Sequence, residues 1–113
     1  MNYRIVATDN FDKKVKILSK KYRSLKQDLI AFEKDLLDNP TLGDDLGNNV
    51  RKVRIAIASK NKGKSGGARV ITCSILIDFV NTKIYLLTIY DKSEQDSISK
   101  QEIEYLQQIN GLI

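Results

Sequence analysis

A chain of 113 residues, 42% hydrophobic and 29% charged, has the size and make-up of one folded unit rather than a disordered segment. Its apolar runs, Val70–Val80 and Ile84–Ile89, are too short to cross a bilayer, and the first is interrupted by Thr72, Ser74 and Asp78. The net charge of +5 favours an anionic partner, while the absence of histidine and the single cysteine remove the commonest general base, the commonest metal ligand and any structural zinc site.

In chain order, Met1-Asn2-Tyr3-Arg4-Ile5 has no apolar core or small-residue cleavage site, so a signal peptide is not expected. Tyr3–Ala7 reads as a short strand ended by Asp9-Asn10. Phe11, Val15, Leu18 and Tyr22 then recur at helical spacing, with Asn10 as the expected N-cap and Lys13, Lys16, Lys20 and Arg23 on the opposite face. Ser24 with Gln27 suggests a capping box opening a second helix, whose stripe is Leu25, Leu29, Phe32 and Leu36 and which Asn39-Pro40 ends. Two adjacent amphipathic helices predict an antiparallel hairpin with a shared apolar face. The stretch Thr41–Asn49 reads as a loop.

From Val53 the period changes to two. Val53, Ile55 and Ile57 alternate with Lys52, Arg54, Ala56 and Ala58, a strand with a core face and a face that starts basic. A flexible loop, Ser59–Gly67, follows. Arg69–Ile77 and Lys83–Tyr90 predict two more central strands joined at Asn81-Thr82, and Cys73 within the first is a core residue of a reducing cytoplasm. Ser99 with Glu102 forms a second capping box, and Ile98 against Ile103 a hydrophobic staple, opening a terminal helix closed at Gly111. The expected fold is α+β in the order β-α-α-β-β-β-α, a single domain over 1–113. Its antiparallel-rich sheet carries the helix hairpin on one face and leaves the other to the basic residues and the C-terminal helix.

Charge is distributed unevenly. Residues 28–46 hold six acids and only Lys34 as a base, whereas residues 51–69 hold seven bases and no acid. Such segregation predicts one positive surface that attracts polyanions. Within it, Ala58-Ser59-Lys60-Asn61-Lys62-Gly63-Lys64-Ser65 nearly matches a phosphate-binding loop, but Ala58 replaces the first glycine and a strand, not a helix, follows. It reads instead as a lysine-bearing hairpin loop able to wrap a polyanion. Lys52 and Arg54 project from one strand face, Arg69 opens the next strand, and Lys92 follows the last, preceded by Tyr90-Asp91. A basic cluster without histidine is able to cleave RNA, with lysine moving protons and arginine holding the charge that develops on phosphate. On residue types alone, gripping phosphates without chemistry is the favoured reading.

Five blocks in order carry a resemblance: Phe11–Lys16, Leu42-Gly43, Val53–Ala56, Lys64–Ile71 and Tyr85–Glu94. Together they resemble the RelE/HigB toxin superfamily, and the blocks around Arg69 and Tyr90 suit its HigB-like branch. The resemblance implies a cytoplasmic toxin of a type II toxin–antitoxin pair that cleaves mRNA in the ribosomal A site without a metal or cofactor. A protein antitoxin, of helix-turn-helix type, would neutralise it. The resemblance assigns catalytic positions to Lys52, Arg54, Arg69 and Lys92, with Tyr90 standing in for a tyrosine that such toxins often carry after the last basic residue. Arg51, Lys60, Lys62 and Lys64 are then expected to bind RNA or the ribosome. The alternative reading is a non-catalytic RNA- or ribosome-binding module using the same face.

Overall fold

A computed structural model describes residues 1–113. The elements are β1 (Asn2–Ala7), α1 (Asp9–Lys21), α2 (Leu25–Asp38), β2 (Asp44–Gly47), β3 (Val50–Ile55), β4 (Ala68–Leu76), β5 (Asn81–Asp91) and α3 (Lys100–Ile109), with a 3-10 turn at Ala58–Lys60. The fold is α+β, as expected, with five strands in the order β1-β5-β4-β3-β2. Only β1, beside β5, runs parallel to its neighbour.

The helix stripes land where the periodicity put them. Phe11, Leu18, Leu25, Leu29, Phe32 and Leu36 pack on Val53, Ile55, Val70, Ile84, Leu86 and Ile89, and Ile57, just past β3, joins them. Leu25 and Leu36 are fully buried; each such leucine is worth about 1.5–3 kcal/mol. Alternation along the strands sends Val50, Ile71, Cys73 and Tyr90 to the other face, where they meet Ile103 and Leu106 of α3. That helix is capped as expected, the Glu102 amide donating to Ser99 Oγ at 3.0 Å. Lys52 and Arg54 lie on the same face, toward the end carrying the start of β4.

Four local expectations are corrected. The N-cap of α1 is Thr8, not Asn10: its hydroxyl accepts from Phe11 N at 3.2 Å while donating to Leu86 O at 2.8 Å, which ties the helix start to β5. Ser24 makes no capping bond; its hydroxyl donates to Asp28 and accepts from the Ser59 amide. The stretch read as the loop Thr41–Asn49 contains β2, whose residues are all exposed and so carry no hydrophobic alternation. The β4–β5 turn lies before Asn81, where the Asp78 carboxylate accepts from the amides of Val80 and Asn81 at 2.9 and 3.0 Å.

The Ser59–Gly67 loop is anchored at both ends. Gly67 lies against β3, where a methyl group would collide with the Ile55 carbonyl oxygen, and its own carbonyl accepts from Lys92 N at 3.1 Å. Gly67→Ala is therefore expected to cost about 1–3 kcal/mol through overpacking, read as a lower urea midpoint at unchanged m-value.

Candidate active site

Antiparallel pairing sets Arg54 directly opposite Arg69 and Arg69 directly opposite Tyr90. These side chains form one row across β3, β4 and β5 at the usual strand spacing of about 4.8 Å. The next row holds Lys52, Ile71 and Thr88 on the same face. Like charges directly opposed across a sheet are unfavourable, so the Arg54–Arg69 pair is a feature the fold does not need for stability.

The members differ in how they are held. Arg54 is exposed, with only a distant Asp44 carboxylate at 3.8 Å. Arg69 is 5% exposed. Its guanidinium donates to the carbonyls of Lys64 at 2.9 Å, Ala68 at 3.2 Å and Ser65 at 3.4 Å. The side chain thus clamps the incoming loop. Tyr90 is buried and its hydroxyl has no hydrogen-bond partner within the protein. Burial pushes its phenol up, an effect that Arg69 partly opposes. A buried donor left unpaired costs about 1–3 kcal/mol. Lys92, just past β5, is half-buried and pairs through Nζ with the Asp96 carboxylate, and it also donates to the Asp96 carbonyl at 3.0 Å. The hydrogen bond from Lys92, together with the charges of Arg69 and Lys52, holds the Asp96 carboxyl below its ordinary range.

Asp96 was not among the residues expected from the sequence. It lies in the turn between β5 and α3, which has no periodicity to place it, and a search for cations passes over it.

The remaining expected binding residues separate. Lys62 and Lys64 are exposed on the loop. Lys60 is not: the 3-10 turn directs it inward, its side chain is 7% exposed, and Nζ lies 2.8 Å from Asp91 on the helix-hairpin side. Asp91 also accepts from the Tyr22 and Ser93 hydroxyls. Lys60 is thereby withdrawn from the set free to grip RNA. Arg51 alternates away from Lys52 and donates to the Gly43 carbonyl at 3.2 Å, with Asp45 at 3.9 Å. The sequence segregation of acids from bases is also incomplete in space, because β2 pairs Asp44 with Lys52 and Asp45 with Arg51.

The assembled site sets the exposed Arg54 and the half-buried Lys52 and Lys92 beside the buried Arg69 guanidinium and Tyr90 phenol, with the Lys92–Asp96 pair at its end. It contains no grouping of three or more carboxylate or thiol side chains suited to a metal ion. No helix is long and apolar enough to cross a membrane. Residues 3–113 match the protein family described as the RelE toxin of the RelE/RelB toxin–antitoxin system.

Proposed function

This chain belongs to the RelE toxin family and is the toxin of a toxin–antitoxin pair with a cognate antitoxin; from that premise we propose that it cuts mRNA in the ribosomal A site. The observation that carries the proposal is the cross-strand row Arg54–Arg69–Tyr90 flanked by Lys52 and Lys92, which gathers four cations at one end of the sheet, where a phosphate would be attracted. The 2′-hydroxyl attacks the adjacent phosphorus, Arg69 and Arg54 hold the growing negative charge, Lys52 binds the backbone, and Lys92 stands by the leaving oxygen. No metal or cofactor takes part. Growth inhibition follows from loss of translated mRNA in the cytoplasm, and a helix-turn-helix antitoxin neutralises it.

Incubating mRNA with the protein, with and without translating ribosomes, and mapping the ends tests this reading. Cuts within the reading frame only when ribosomes translate are expected; no cut in either condition overturns it. One observation favours a second reading, a non-catalytic RNA- or ribosome-binding module: part of Arg69's hydrogen-bonding capacity already goes to loop carbonyls. The same assay separates the two. On either reading, Lys62→Ala and Lys64→Ala should weaken ribosome affinity modestly. Each should also flatten the salt dependence, by about one unit of slope for every phosphate no longer neutralised.

A further inference from the structure

Attack by a 2′-hydroxyl needs a group to take its proton, and charged lysines and arginines do not accept one. Tyr90 is no substitute at neutral pH, since burial keeps its phenol protonated. Three carboxylates adjoin the row, of which Glu102, on α3, is near enough for its charge to act on Tyr90. Asp44 lies on the edge strand β2, beyond Lys52 and Arg54. Asp96 touches Lys92 itself, and Arg69 and Lys52 are near enough for their charges to act on it. Its side chain is 91% exposed, so it is open to a substrate and contributes nothing to the core. A fourth carboxylate, Asp91, faces the opposite side of the sheet, where the Tyr22 hydroxyl and the Lys60 ammonium occupy it.

We propose, resting on the endoribonuclease reading above, that Asp96 is the general base and Lys92 the general acid, and that their ion pair closes the proton cycle. As the bond from O2′ to phosphorus forms, the Asp96 carboxylate takes the 2′-hydroxyl proton. As the bond from phosphorus to O5′ breaks, its electron pair leaves on O5′, which takes a proton from the Lys92 ammonium. The products are a 2′,3′-cyclic phosphate and a 5′-hydroxyl. The protonated Asp96 then faces a neutral Lys92 amine, and the proton crosses between them to restore both groups.

The test is single-turnover cleavage of mRNA on translating ribosomes by wild type, Asp96→Asn, Asp96→Glu and Asp44→Asn, with ribosome affinity measured for each. Asp96→Asn should cut at least about 10²-fold more slowly at unchanged or tighter affinity, as loss of a general base does. Asp96→Glu should recover part of the rate, and Asp44→Asn should behave as wild type. An Asp96→Asn protein that cuts within about threefold of wild type, or faster, makes Asp96 only a counter-ion of Lys92 and overturns the assignment. So does a rate loss matched by an equal loss of affinity. A wild-type protein that cuts nothing is a different failure, that of the nuclease reading itself.

Discussion

Arg69→Ala is expected to slow cleavage on the ribosome by about 10²–10³, the usual loss when one preorganised donor to a developing negative charge is removed. The side chain is held in the row by the register of β4 between β3 and β5, and its hydrogen bonds to the Lys64, Ser65 and Ala68 carbonyls fix its orientation before any RNA arrives. Arg69→Lys should not restore the rate, because an ammonium cannot reproduce the planar fork that holds the loop carbonyls. A spectroscopic check accompanies the kinetics. Arg69 lowers the Tyr90 phenol against the larger upward effect of burial, so the phenol should titrate at still higher pH in Arg69→Ala. A rate loss no larger than that of Lys62→Ala would reduce Arg69 to one more cation of an electrostatic grip.

The largest expected stability effect lies on the other side of the sheet. Asp91→Ala would leave the Lys60 ammonium buried without its partner, since the aspartate and lysine side chains are 0% and 7% exposed. Breaking a buried pair in this way costs about 3–5 kcal/mol, or on the order of 10–20 °C in Tm for a chain of this size. Replacing both partners with apolar residues, Asp91→Leu with Lys60→Met, should recover much of that deficit. Burial alone would raise the Asp91 carboxyl, but hydrogen bonds from Lys60, Tyr22 and Ser93 outweigh it and hold the group well below the usual carboxylate range. Its contribution is therefore complete above the unfolded value of about 4 and is lost as pH falls toward the folded value. Wild type should lose stability on acidification below about pH 4 more steeply than the apolar double variant. A single-variant cost under about 1 kcal/mol, typical of an exposed pair, would contradict the burial of this one.

Much of the architecture was legible because burial writes itself into periodicity. The stripes Phe11–Leu18 and Leu25–Leu36, the alternation at Val53 and Ile55, and the apolar runs of β4 and β5 all reappear as the two clusters that clothe the sheet. What escaped was structure held by backbone or by long-range polar bonds. β2 is fully exposed and exists through its pairing with β3. Thr8 caps α1 because its hydroxyl is also fixed by Leu86, seventy-eight positions along the chain. The row Arg54–Arg69–Tyr90 needed a register that no local pattern specifies. Lys60 looked like its loop neighbours Lys62 and Lys64, and only the 3-10 turn with Asp91 beneath it turns that lysine inward.

The chemistry of the cut ends tests the basic row most directly. Ends released from mRNA on translating ribosomes should carry a 2′,3′-cyclic phosphate on one side and a 5′-hydroxyl on the other, and both should form about 10²–10³-fold more slowly with Arg69→Ala. Ends bearing a 3′-hydroxyl and a 5′-phosphate would mean that water, not the 2′-hydroxyl, attacks, and would contradict the account.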